Sequence, residues 1–192
     1  MWFLRALRAG TGNAASPHRG MTSDESFQVR FDTIPTMRLI IMRHGQSPSA
    51  AEAGVKTDHD RPLAPEGRED ARRQAGRLTA KGYVPDVILH SPLTRAKQTA
   101  YEVRKGFADK PRIEEYEPLS NQLRGEDLFS RLKDDGRRAG LTMLVGHMPQ
   151  VGELAGHLTG VSMGFEPAGL VVLEASEPGL SRVLLELTPS EA

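Results

Sequence analysis

The stretch Arg38-Leu39-Ile40-Ile41-Met42-Arg43-His44-Gly45 decides the fold. Leu39 to Met42 run apolar without polar alternation, the pattern of a strand buried on both faces of a sheet. The run then stops at a guanidinium, an imidazole and a glycine, so the ordered core is expected to begin at Arg38. Two other segments have the same shape. DVILH (residues 86–90) leads into Ser91-Pro92-Leu93-Thr94-Arg95-Ala96, and LTMLVG (residues 141–146) leads into His147-Met148-Pro149.

Between these strands the apolar residues switch to helical spacing. APEGREDARRQAGRLTAKG places Ala71, Ala75 and Leu78 on one face, with Pro65 near the start and Gly82 as the stop. The segment 91–107 puts Ala96, Ala100, Val103 and Phe107 on one face. A helix over 127–138 turns Leu128 and Leu132 inward, and PQVGELAGHLTG does the same with Val151, Leu154, Ala155 and Leu158. RIEEY (residues 112–116) reads as a weak strand. GLVVLEA and RVLLEL close the chain as two strands joined by SEPGLS, short enough for an antiparallel hairpin. Strands alternating with helices, then a hairpin, predict an α/β fold: a three-layer α/β/α sandwich with a mostly parallel sheet and an antiparallel C-terminal edge.

Composition narrows the function. The 192 residues suit one domain, expected over 37–188. Lys+Arg and Asp+Glu number 25 each, so no global field draws the chain to nucleic acid or an anionic membrane, and any anion must be held by a local cluster. The absence of cysteine excludes disulfides, thiolate metal sites and a cysteine nucleophile, and with no bilayer-length apolar run it fits a cytoplasmic protein. The opening MWFLRALRAGTGNAASPHRG lacks the apolar core of a secretory signal. Residues 1–36 are expected to be a disordered extension, or to reflect a start placed ahead of Met21 or Met37; a transit-like leader is the alternative.

In open sheets of this class ligands bind beyond the carboxyl ends of the strands. Three strand ends here deliver Arg43 and His44, Arg95, and His147 to one edge. Two guanidiniums and two imidazoles converging on one spot favour an anion between them, and the planar fork of arginine matches phosphate oxygens. The helices after the second and third strong strands would add backbone N–H groups. Gly45 is expected to let the backbone approach the ligand, and Gly146 to allow a tight exit from its strand.

Arg43-His44-Gly45, Ser91-Pro92 with Arg95-Ala96 and Gln98-Thr99, and Gly146-His147 together resemble the histidine phosphatase superfamily, related to phosphoglycerate mutases. The lean chain, Arg61-Pro62-Leu63 before the first long helix, and His147-Met148-Pro149 followed by Val151-Gly152 are similar to its SixA-type phosphohistidine phosphatases. The resemblance spans roughly residues 37–187. It implies that His44 is a nucleophile carrying a covalent phosphoryl group while Arg43, Arg95 and His147 hold the phosphoryl oxygens. Neutral imidazole is a competent nucleophile near pH 7, and arginine keeps its charge throughout. Such transfer depends on positioning and electrostatics, so no metal or cofactor is called for.

Members that cleave esters add an acid for the leaving group. Glu117 is the one acid in reach by sequence, displaced by one residue from the position the family pattern favours. A leaving imidazole, of pKa about 6.5, needs less proton help than an alkoxide. The expected partner is therefore a phosphohistidine-bearing protein, with a small phosphate ester as the alternative and a non-catalytic phosphoprotein-binding module as a different class. Arg61 and Ser47 are further phosphate- or substrate-binding candidates, with loop capping as the competing role. His18, His59, His90 and His157 lie outside the motifs and are read as structural, and the charged run 66–73 as a solvated helix face with pairs such as Glu69 with Arg73.

Overall fold

The computed structural model describes residues 36–137 and 140–190. The expectation of a disordered segment over 1–36 therefore falls, Thr36 apart, outside the described residues, as does Arg138.

Six strands form one sheet: β1 (Met37–Arg43), β2 (Val87–His90), β3 (Arg112–Glu115), β4 (Leu141–Gly146), β5 (Leu170–Ala175) and β6 (Arg182–Leu187). The order is β3-β2-β4-β1-β5-β6. β2 pairs parallel with β3 and β4, and β4 with β1, while β5 runs antiparallel to both β1 and β6. Three parallel junctions and an antiparallel C-terminal edge are the predicted architecture.

The period of two along β1 splits the core into two layers. Leu39 and Ile41 join Leu89, Leu144 and Val171 beneath α4 (Gly125–Asp134) and α5 (Gln150–Thr159), which supply Leu128, Leu132, Val151, Leu154 and Leu158. Ile40 and Met42 join Ile88, Met143, Val145 and Val172 beneath α2 (Pro65–Ala80) and α3 (Thr94–Gly106), which supply Ala71, Ala75, Leu78, Ala96, Ala100 and Val103. All four central β1 side chains are fully buried. At about 25 cal/mol per Å² of apolar surface, they make β1 the anchor of both layers.

Several local expectations are corrected. The loop after Gly45 contains a short helix α1 (Ala50–Ala53), closed by a capping box in which Ser49 and Glu52 bond each other's backbone N–H groups. Glu117–Leu119 forms a 3-10 turn. The α4 helix ends at Asp134, short of 138, because Gly136 adopts a left-handed φ of 67°. Arg137 lies past that end and ion-pairs with Glu114 of β3 at 2.7 Å. The charged run of α2 is not wholly solvated. Arg68 and Arg72 reach across to Glu102, buried on α3, and Arg73 pairs with Asp70 in place of Glu69.

Candidate phosphoryl-transfer site

The carboxyl ends of β1, β2 and β4 bring the four principal candidates to one edge. His44 continues the parallel ladder one residue past β1: its N–H donates to the Gly146 carbonyl at 2.9 Å, and its carbonyl accepts the Ala168 N–H at 3.0 Å. These bonds hold its backbone on both sides, and two contacts orient the ring. Its Nδ1 is 2.7 Å from the Gly45 carbonyl, and its Nε2 is 3.2 Å from Arg95 Nε. A carbonyl can only accept and an arginine N–H can only donate, so the ring is the neutral Nδ1–H tautomer with its lone pair on Nε2.

The His147 ring centroid is 5.0 Å from that of His44. Its Nε2 meets Ser91 Oγ at 2.8 Å, and its Nδ1 is buried without a partner among the described residues. Arg95, only 7% exposed, fans its guanidinium over His44 Nε2, the Asp58 carbonyl at 2.7 Å and the Asp58 carboxylate at 2.9 Å. Arg43 donates from Nη1 to the Phe165 carbonyl at 2.8 Å, and its Nε is buried and unpartnered. The cluster thus retains N–H capacity that the protein does not consume.

Burial pushes His44 down from the usual histidine value to about 4; the Gly45 carbonyl opposes this, and the charges of Arg95, Arg43 and Arg61 add to it. His147 is lowered to about 3, by burial first and then by His44 and Arg95. Both imidazoles are therefore neutral at pH 7. Asp58 is held below the usual carboxylate range, first by the Arg61 hydrogen bond and also by Arg95, against a smaller opposing effect of burial. It is an ionised carboxylate at neutral pH.

The remaining candidates serve the loops and packing around the cluster, the loop-capping role named for Arg61 and Ser47 among them. Gly45 makes room for protein: a Cβ there would lie 2.7 Å from the Gly67 carbonyl oxygen, and one on Gly67 would lie 2.5 Å from the Gln46 carbonyl oxygen. The two glycines let the first turn of α2 abut the nucleophile loop. A Cβ on Gly146 would meet Val151 at 2.8 Å, so its smallness admits α5. Ser47 Oγ donates within its own loop, to the Pro62 carbonyl at 2.9 Å. Arg61 grips Asp58 at 2.8 Å and the Pro48 carbonyl at 2.7 Å, which makes it the loop's clasp. Glu117 is exposed, and among the described residues no hydrogen bond or ion pair joins it to the imidazoles. The expected helix N-termini are partly engaged: Thr94 N–H donates to the His59 carbonyl and Gln150 N–H to Asn121 Oδ1.

A profile of the histidine phosphatase superfamily (branch 1) matches residues 39–122. A protein of Picosynechococcus is 31% identical over 144 residues, covering 72% of this chain and 86% of its own. The chain belongs to the histidine phosphatase superfamily. The serine/threonine-protein phosphatase PGAM5 of Xenopus tropicalis is 33% identical over 93 residues, 47% of this chain. This chain spans less than half the length of the first curated relatives it matches, 43% and 32%. Among solved structures, one named as the phosphohistidine phosphatase SixA of Agrobacterium tumefaciens superposes with a TM-score of 0.68 at 26% identity, covering 80% of this chain and 98% of that one.

Two residues of this superfamily member were missed as members of the cluster. Asp58 sits 37 positions before Arg95 in a loop of featureless composition, and no spacing rule joins them. Thr99, quoted only as part of a motif, lies one turn after Arg95 on α3. Its Oγ1 accepts the Gly45 N–H at 3.0 Å and donates to the Arg95 carbonyl at 2.7 Å, so it clamps Gly45, the residue whose carbonyl holds the His44 ring. The i, i+4 relation of Arg95 and Thr99 on one helix face was the available signal. Among the described residues, no helix is long and apolar enough to cross a membrane.

Proposed function

We propose that the chain is a phosphatase in which His44 Nε2 accepts a phosphoryl group and passes it to water, with phosphohistidine on a protein as its substrate. The observation that carries this reading is the orientation of His44: a neutral ring with its lone pair on Nε2, beside Arg95 and among unconsumed donors. Arg95 Nε gives up Nε2 to a phosphoryl oxygen as substrate enters. The Nε2 lone pair forms the new P–N bond, and the substrate's P–N bond breaks with its electrons going to the leaving imidazole. That imidazole takes its proton from water at its second ring nitrogen. Arg43, Arg95 and His147 offset the oxygen charge throughout.

While phosphorylated, His44 keeps its Nδ1 proton and becomes a cationic ring, so its bond to the Gly45 carbonyl strengthens. Water then attacks phosphorus, and the neutral imidazole leaves with its lone pair restored. The preference for an N–P substrate is supported by the acids. Asp58, the carboxylate that touches the cluster, is ionised and committed to Arg95 and Arg61, and Glu117 is exposed on the 3-10 turn. Among the described residues, no protonated acid is bonded to the cluster to serve an alkoxide leaving group. The near-complete span of the SixA chain supports the same reading.

The test compares hydrolysis of a phosphohistidine-bearing protein with a panel of small phosphomonoesters, with His44→Ala as the blank. Preference for phosphohistidine is expected. Preference for a monoester would overturn the substrate and keep the nucleophile, and binding without turnover of either would mean a phosphoprotein-binding module.

A further inference from the structure

Ser91 follows β2 and is fully buried, and its hydroxyl sits at a junction of three groups. Its Oγ accepts the Leu93 N–H at 3.2 Å and lies 2.8 Å from His147 Nε2. A hydroxyl has one proton and two lone pairs, and the amide can only donate, so one lone pair is spent on Leu93. Two arrangements remain for the contact with His147. If Nε2 carried the proton, the Ser91 hydroxyl proton would have no acceptor among the described residues. If Ser91 donates to Nε2, the hydroxyl is satisfied on both sides and the proton of His147 resides on Nδ1, the ring atom with no partner among the described residues. Burying a hydroxyl without an acceptor costs on the order of 1–3 kcal/mol, which favours the second arrangement.

We propose that Ser91 is a positioning residue: by donating its hydroxyl proton to Nε2 it holds His147 as the Nδ1–H tautomer, so that the unpartnered Nδ1–H is offered to an oxygen of a bound phosphoryl group. This role rests on the reading of the site as one for phosphoryl transfer. The opposite tautomer would turn a lone pair toward an anionic oxygen and change an attraction into a repulsion. Burial keeps His147 neutral at working pH, so its tautomer, not its charge, determines what it offers. The two imidazoles then carry the proton on the same atom for opposite purposes. In His44, Nδ1–H frees Nε2 to attack; in His147, Nδ1–H is itself the working group.

The test is nitrogen NMR of the free full-length protein labelled at histidine, with the signals of the two rings assigned by His44→Gln and His147→Gln. In the wild type, His147 Nδ1 is expected to give the shift of a protonated ring nitrogen and Nε2 that of a lone-pair nitrogen. In Ser91→Ala the His147 proton should move wholly or partly to Nε2 while His44 stays unchanged, and Ser91→Thr should restore the wild-type pattern. Alongside, Ser91→Ala should lower kcat and weaken inorganic phosphate binding by about a hundredfold, the scale of one lost oxyanion donor. A protonated Nε2 in the wild type overturns the assignment even if no Ser91 variant folds. An unchanged His147 tautomer in folded Ser91→Ala also overturns it. If the tautomers behave as stated but the wild type hydrolyses no phosphoryl substrate, the function proposed for the site fails and the tautomer assignment stands.

Discussion

Two clusters of arginines flank α3, and they are built to opposite ends. On its outer side Glu102, with a side chain 4% exposed, receives Arg68 at 3.3 Å, Arg72 at 2.7 Å and Lys105 at 3.0 Å. Burial pushes the Glu102 carboxyl up, but the hydrogen bonds from Lys105 and Arg72 outweigh it and hold the group below its usual range. A buried anion surrounded by cations is a closed arrangement that ties α2 to α3. At the N-terminal end of the same helix, Arg95 shares a pocket with Arg43, two neutral imidazoles and a single carboxylate, Asp58, whose side chain is 63% exposed. Here N–H groups remain unconsumed on Arg43 and positive charge exceeds negative. Ion pairing and excess positive charge occur at both clusters; the buried nitrogens left without a partner mark the site.

That contrast can be broken most directly at the nucleophile. His44→Ala should reduce turnover by at least about 10⁴-fold, the scale of losing a nucleophile, as steady-state kinetics would record. Substantial residual activity would mean that the cationic pocket works by another route. Next in size, Arg95→Ala and Arg43→Ala should each lower kcat/KM by about 10²–10³. Glu102→Gln should reverse that pattern, costing about 1–3 kcal/mol in urea unfolding, given its half-exposed partners, with kcat changed less than about threefold. Equal effects on activity from both clusters would erase the distinction.

Thr99→Val tests the link between them, since it removes the hydroxyl that holds the Gly45 peptide. It should cost about 1–3 kcal/mol of stability and lower kcat about tenfold with little change in KM.

The pH dependence sharpens the comparison further. His44 and His147 have folded values near 4 and 3 against about 6.5 unfolded, so the unfolded chain binds more protons as pH falls below about 6.5. Above about pH 6.5 neither group penalises folding, and below it each costs about 1.4 kcal/mol per pH unit until its folded value is reached. With both values lowered, stability is lost as pH falls from about 6.5 toward 4 and 3. Urea unfolding at pH 7 and pH 4.5 should show this loss, and His44→Ala should reduce it. Smallest of all, Glu117→Gln should leave phosphohistidine hydrolysis within about twofold, because a leaving imidazole needs little acid help; a large drop would restore Glu117 as the acid and favour phosphomonoesters.

The sheet was legible in the sequence because β1, β2 and β4 are buried on both faces and so read as apolar runs, and because Ala71, Ala75, Leu78, Ala96, Ala100 and Val103 keep helical spacing. Elements held by local polar chemistry were not legible: α1 depends on the Ser49 and Glu52 capping box, and the 3-10 turn follows a weak strand. The site shows the same division. His44, Arg43, Arg95 and His147 could be placed together because each follows a strand in the sheet. Asp58 could not, since a loop folds back to deliver it, and neither could the Gly45 and Phe165 carbonyls, which any residue could supply. The packing served by the glycines was not legible because sequence shows that space is needed without showing what fills it.

The account rests on a phosphoryl group carried by His44. Quenching the wild-type protein with alkali during incubation with a phosphohistidine-bearing protein, then mapping the phosphate by mass spectrometry, tests that most directly. Phosphate on His44, and none in His44→Ala, is the predicted result; turnover with no covalent adduct, or with phosphate on another residue of the chain, would contradict it.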